Sequence, residues 1–192
     1  TEAEEIARQL GLRFAVCVVT DASRRTTAVC AGDLVAAHRA ACARAREAYA
    51  TDVSHDYDVA LLNAYPKDMD LVQADNAFVA LKTAAAPVVN SDGIYVLTTA
   101  ASEGIGRHGL FAPDGLSYRT PARKRQLGNR ELWIYAPQLS AADVRRLYWD
   151  GYPTFHNPDD LNRALSERFP DHARCAVLPC APMQQVRDLR TV

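Results

Sequence analysis

The sequence predicts an α/β fold, a layered and mostly parallel sheet with helices on both faces, preceded by an N-terminal β-hairpin. Three patterns carry this prediction. Short apolar runs such as Asp58 to Leu62 (DVALL) and Ile94 to Thr99 (IYVLTT) alternate with capped amphipathic segments, as strands covered on both faces do. Near the start, Arg13 to Thr20 (RFAVCVVT) and Thr26 to Ala31 (TTAVCA) are β-rich and separated by five turn-forming residues, which suits antiparallel neighbours. No internal repeat or low-complexity linker divides the chain, so residues 1–192 are expected to form one domain.

Each element has a local reason. Thr1 with Glu4 forms a capping box, and Gly11 closes a helix over about 2–10. After the hairpin, Gly32 and Asp33 break the strand, and an alanine-rich helix runs over 34–50 with arginines on its outer face. The run DVALL ends in a polar, proline-containing loop, and a helix is expected from Asp70 to Ala84. Asn90 to Gly93 reads as a turn before the IYVLTT strand, which ends in a glycine-bearing loop, Ala101 to Gly109. From Leu110 to Asn129 the pattern is irregular and basic, with Arg119, Arg123, Lys124 and Arg125 together; this stretch is expected to order against a further domain. Glu131 to Ala136 reads as a strand and 140–148 as a helix capped by Ser140. Pro153 to Phe155 is a very short strand, and Asn157-Pro158 opens a helix to Phe169. Arg174 to Leu178 is the last strand, and the tail from Pro179 is weakly patterned.

Composition excludes several classes. A net charge of -1 over 192 residues gives no field that would draw nucleic acid or anionic lipid. No apolar run approaches the roughly 20 residues needed to cross a bilayer, and the expected location is cytoplasmic. Five cysteines show no CxxC pair, and no HxxxH or HExxH spacing exists, so no metal site is expected within this chain. Cys17 and Cys30 come near each other if their strands pair, but buried reduced thiols are expected. No GxSxG element is present, and no serine or cysteine is read as lying beside a local base. The chain opens at Thr1 without a methionine, which fits a piece of a longer protein.

The chemistry-bearing positions gather where DVALL hands over to its helix, since ligand sites in open α/β sheets lie at the carboxyl ends of strands. Pro66 fixes the turn and can aim Tyr65 into the crevice, with Lys67 as a cation for a carboxylate or phosphate. The plainer alternative is that Pro66 stops the strand and Lys67 and Asp68 are solvated. Gln73, in the first turn of the next helix, can donate to and accept from one ligand, although most first-turn glutamines face water. Glycines in Glu103-Gly104-Ile105-Gly106 would let main-chain N–H groups approach an anion, and His108 is a candidate acid or base. The loop lacks both a dinucleotide fingerprint and a GK[ST] element.

Three ordered blocks resemble the C-terminal domain of the lactate racemase family. Ala31-Gly32-Asp33-Leu34-Val35-Ala36-Ala37-His38-Arg39-Ala40 is similar to the family's AGDPxxAHRAG helix start. Tyr65-Pro66-Lys67-Asp68-Met69-Asp70-Leu71-Val72-Gln73-Ala74 is similar to its GGYPxDxNLYQAxK stretch. Glu103-Gly104-Ile105-Gly106 with Phe111 is similar to its EGxGxxxF loop. The resemblance runs from Thr1 to about Phe111 and thins afterwards.

The resemblance implies part of an isomerase that racemises or epimerises a small 2-hydroxy acid by hydride transfer to a nickel-pincer nucleotide. The cofactor, with its metal ligand and covalent lysine, would be held mainly by an N-terminal domain that this chain lacks. That domain and the 2-hydroxy acid are the implied partners, and this chain alone would be inactive. Carried over by position, Gln73 and Lys67 would be substrate-side catalytic groups, and Tyr65, Glu103, Gly104 and Gly106 would face the cofactor. Four departures stand out: Asn63-Ala64 in place of Gly-Gly, Val72 in place of tyrosine, Asn76 in place of the lysine after the glutamine, and Cys180-Ala181-Pro182 in place of a late HGG element. They leave a second reading, a ligand-binding or interaction module that has kept the fold and lost the chemistry.

Overall fold

The structure is a computed structural model and describes residues 1–111 and 113–188. The end of the weakly patterned tail lies outside those residues. Where one domain is expected from sequence, the chain packs as two compact units, residues 1–50 and the remainder from Thr51. The hairpin and its helix bury Val19, Ala37 and Ala41 in a small core, while the parallel sheet builds larger cores elsewhere.

In the first unit, α1 (Glu2–Gln9) starts where Thr1 Oγ1 accepts the Glu4 N–H and the Glu4 carboxylate reaches back to the Thr1 amine. Strands β1 (Phe14–Thr20) and β2 (Thr26–Asp33) pair antiparallel, as expected, with Cys17 opposite Cys30. All five cysteines are free thiols. Asp21 builds the turn by accepting the N–H groups of Ser23 and Arg25. Helix α2 (Leu34–Tyr49) is capped by Asp33, whose carboxylate accepts from Val35 and Ala36. It packs on one face of the hairpin, while Phe14, Val16, Val18 and Val29 stand exposed on the other.

The second unit holds a five-stranded parallel sheet of order β7-β6-β5-β4-β8: β4 (Tyr57–Asn63), β5 (Val89–Thr98), β6 (Glu131–Tyr135), β7 (Thr154–Phe155) and β8 (Cys175–Leu178). Successive side chains point to opposite faces, so two cores form. On one face Leu62, Leu97, Ile134 and Leu178 meet Leu71, Phe78, Val144 and Tyr148 from α3 (Leu71–Ala74), the segment after it, and α4 (Ala141–Arg145) with its following turn. On the other, Val59, Ile94, Val96 and Trp133 meet Leu161 and Leu165 of α5 (Pro158–Arg168). Each fully buried Leu or Ile contributes about 1.5–3 kcal/mol, so both faces stabilise the sheet and hold its carboxyl ends in place. Two further strands, β3 (Ala50–Val53) and β9 (Gln185–Asp188), form a separate ribbon clamped by Arg187 on Asp52 at 2.7 and 3.0 Å.

Three expectations are corrected. The helix expected over Asp70 to Ala84 is one α-helical turn, α3, followed by a 3-10 helix over Asp75–Lys82. Asn76 Nδ2 donates to the Gln73 carbonyl at 2.8 Å, the acceptor that continuing α-winding would use, and the alanines at 74, 77 and 80 are spaced for a three-residue turn with all three buried. Strand β5 begins at Val89, not Ile94; the turn at Asn90 to Gly93 is a bulge inside it, where a Cβ on Gly93 would lie 2.7 Å from Val89 Cβ. The β3–β9 ribbon has no counterpart in the expected elements. Among the described residues, no helix is long and apolar enough to cross a membrane.

Candidate functional site

Parallel strands β4 and β5 end side by side, and the loops that leave them are laced together. The Asp68 carbonyl accepts from Ala101 N–H at 2.7 Å, and the Met69 carbonyl accepts from Glu103 N–H at 2.8 Å. In return, Leu71 and Val72 donate to the carbonyls of Gly104 and Ile105 at 3.1 and 3.2 Å, and Asp70 Oδ1 takes the Gln73 N–H at 2.7 Å. The opening N–H groups of α3 are therefore satisfied inside the chain. The loop meets α3 with its carbonyls, and the Gly104 N–H is itself bound to the Ala101 carbonyl at 2.9 Å. Gly106 has φ 98°, and a Cβ there would lie 2.7 Å from Asp70 Cγ, so only glycine lets the capping carboxylate come this close.

A cavity of about 450 Å³ lies along the outer side of α3 and the 3-10 helix, with Gln73, Asn76, Val79 and Lys82 on one wall and His108, Phe111, Lys124 and Tyr148 across from it. The wall residues recur every third position. At about 100° per residue an α-helix would put Lys82 on the side opposite Gln73, whereas the 3-10 turn of about three residues stacks 76, 79 and 82 in one row below Gln73. The 3-10 segment thus determines what the cavity presents.

At one end, Gln73 Nε2 and His108 Nε2 are 2.7 Å apart. Asn76 Nδ2 lies 3.4 Å from Gln73 Oε1, which leaves the Gln73 amide N–H to donate to His108. His108 then accepts at Nε2 and carries its proton on Nδ1. In the middle, Asp75 receives both the Tyr148 hydroxyl, at 3.1 Å, and the Lys124 ammonium. Lys124 also sits 4.7 Å from the centre of the Phe78 ring and 5.1 Å from that of Tyr148. Burial pushes the Tyr148 phenol well above its ordinary range, and the neighbouring Asp75 carboxylate adds to this, so Tyr148 is a proton donor throughout the neutral range. Lys82 makes no ion pair among the described residues and stands exposed at the far end.

The structure therefore brings together only part of the expected set. Gln73 lines the cavity, with His108 and Phe111 from the glycine loop and Asn76 beside them. Tyr65, Lys67 and Glu103 are exposed and lie outside the cavity lining, as do Gly104 and Gly106. The Tyr65-Pro66 peptide is cis. Asp75, Lys82, Lys124 and Tyr148 were not singled out from sequence as site residues. The three-residue spacing of Gln73, Asn76, Val79 and Lys82 was the readable signal for that wall, whereas Lys124 and Tyr148 arrive through tertiary packing.

No known protein-family profile matches the chain. No curated protein sequence matches it either. Solved structures do. The lactate racemase apoprotein from Thermoanaerobacterium thermosaccharolyticum superposes with a TM-score of 0.69 at 16% identity, over 94% of this chain and 47% of that one. A structural-genomics protein from Thermotoga maritima superposes with a TM-score of 0.58 at 11% identity, over 97% of this chain and 52% of that one. The chain thus spans about half the length of these two proteins and shares a fold with that half.

Proposed function

We propose that this chain is the C-terminal half of a lactate-racemase-like isomerase and that its Gln73–His108 cavity holds the 2-hydroxy acid. The observation that carries this reading is the convergence of Gln73 and His108 on one cavity, from two of the segments that resemble the family, in a chain that shares the fold of half of a lactate racemase. A 2-hydroxy acid needs a donor and acceptor pair for its hydroxyl, and Gln73 and His108 are side chains of those kinds.

The wall also favours a substrate longer than lactate. From Asn76 to Lys82 the 3-10 helix rises roughly 12 Å, at about 2 Å per residue. With Lys124 already neutralised by Asp75, Lys82 is the cation left for an anionic group at the far end, so we infer a 2-hydroxy acid with a second acidic group. The nickel-pincer nucleotide implied by the resemblance does not fit these residues. Among the described residues no three His, Cys, Asp or Glu side chains cluster to hold a metal, and in the glycine loop the N–H groups of Glu103 and Gly104 are already bonded to the carbonyls of Met69 and Ala101. In this reading the cofactor belongs to a further domain, and this chain's residues bind and orient the substrate.

The test is the full-length protein carrying the nucleotide, incubated with single enantiomers of mono- and dicarboxylic 2-hydroxy acids and followed by chiral chromatography. Interconversion is expected, with Lys82→Met raising KM about tenfold for the dicarboxylic acids and little for the others. A non-catalytic ligand-binding module is the second reading, favoured by Asn76 in the place of the family lysine. Binding without interconversion of any acid would support it and refute the isomerase.

A further inference from the structure

The first unit contains a constellation independent of that cavity. On α2, His38 and Cys42 are one turn apart, so their side chains meet on one face, with Cys42 Sγ 3.4 Å from His38 Nε2. This corrects the expectation that no cysteine lies beside a base, because the four-residue spacing becomes a contact only once helical. The other ring nitrogen, His38 Nδ1, lies 3.3 Å from Glu4 Oε1 on α1. Glu4 is buried, and Arg39 grips both its oxygens at 3.1 Å and holds the carboxyl far below the usual carboxylate range. A permanently ionised carboxylate at Nδ1 selects one tautomer: Nδ1–H donates to Glu4, and the bare Nε2 faces the thiol. Nucleophile, base and orienting carboxylate thus stand in order.

The surroundings are otherwise plain. The strand faces packed on α2 carry Ala15, Cys17, Val19, Ala28, Cys30 and Gly32, without a carboxylate or base. On the helix surface Arg39 and Arg46 flank Cys42, three residues before and four after, and Arg46 makes no ion pair among the described residues. Cys42 is partly exposed, and His38 keeps 41% of its side-chain surface.

We propose that Cys42 is a reactive thiol that exchanges with small disulfides bearing carboxylates. The Cys42 S–H proton passes to His38 Nε2, and the sulfur attacks one sulfur of the disulfide. A Cys42 mixed disulfide forms as the reagent's S–S bond breaks, and the released thiolate takes the proton back from His38, so one disulfide and one thiol enter and one of each leave. Glu4 is a positioning residue, and Arg46 draws the anionic reagent.

The probe is 5,5′-dithiobis(2-nitrobenzoate), a dianionic aromatic disulfide, on the protein at pH 7, read by stopped-flow absorbance and by peptide mass spectrometry to locate the label. Cys42 is expected to react first among the five cysteines and about tenfold faster than free N-acetylcysteine. His38→Asn should remove that advantage, Glu4→Gln should reduce it, and Glu4→Asp should restore part of it. Arg46→Gln, on the exposed helix surface, should slow the dianionic probe about twofold and leave a neutral dipyridyl disulfide unchanged. A Cys42 rate no faster than N-acetylcysteine in the unaltered protein overturns the proposal without recourse to any variant. So does a fast rate that survives in folded His38→Asn.

Discussion

Replacing Gly106 by alanine separates packing from ligand contact in the glycine loop. At φ 98° a non-glycine residue is strained by about 1–2 kcal/mol. The new Cβ would also sit 2.7 Å from Asp70 Cγ, more than 0.5 Å inside an ordinary carbon contact of about 3.5–4.0 Å. The clash is relieved by moving the Asp70 carboxylate off the Gln73 N–H, which removes an N-cap worth about 1 kcal/mol. Gly104, in the same loop at φ 74°, has nothing within 4 Å of its would-be Cβ, so Gly104→Ala carries the strain alone. The expected losses are about 2–3 kcal/mol for Gly106→Ala and about 1–2 kcal/mol for Gly104→Ala. Urea unfolding followed by tryptophan fluorescence measures both, because the chain's two tryptophans, Trp133 and Trp149, lie in the second unit. The slope with urea should stay constant. Equal losses for the two variants would refute the claim that Gly106 exists to admit Asp70.

Two pH effects follow from the shifted groups. Glu4 is held below its ordinary value by Arg39, so its contribution to the first unit is complete above pH 4.5 and is lost as pH falls towards the lowered value. Hydrogen exchange in α1 should therefore accelerate on acidification below that point, and Glu4→Gln should lower the plateau and flatten the acid limb. Tyr148 is raised, so its contribution is complete below pH 10 and fades as pH rises beyond it. Alkaline unfolding of the second unit should flatten in Tyr148→Phe, which also loses about 1 kcal/mol at neutral pH with the hydrogen bond to the half-exposed Asp75.

Local chemistry made much of the fold legible. Thr1 with Glu4, Asp33, Ser140 and Asn157-Pro158 each cap the helix expected of them, because a cap is settled within one turn of sequence. Two β-rich runs joined by a five-residue turn revealed the hairpin, and DVALL and ELWIY revealed central strands. The segment after Asp70 misled because its apolar positions suit a 3.6-residue period as well as a 3.0-residue one, and the Asn76 side chain decided between them. β9 stayed hidden because Gln185 to Asp188 form a strand only by pairing with β3. Of the expected site, Gln73 and His108 were legible from loop and helix-start positions. Lys124 and Tyr148 were not, since they lie about fifty and seventy-five residues from Gln73 and reach its cavity only through packing. Tyr65, Lys67 and Glu103 stand out by motif but are exposed and lie outside the cavity lining.

The most direct measurement is stereoisomer interconversion of a dicarboxylic 2-hydroxy acid by the nucleotide-loaded full-length protein and by its Gln73→Ala variant. Turnover that falls at least about tenfold in the variant, while the bound nucleotide content stays the same, is the predicted result. Turnover indifferent to Gln73, or none with any acid tested, would contradict the account.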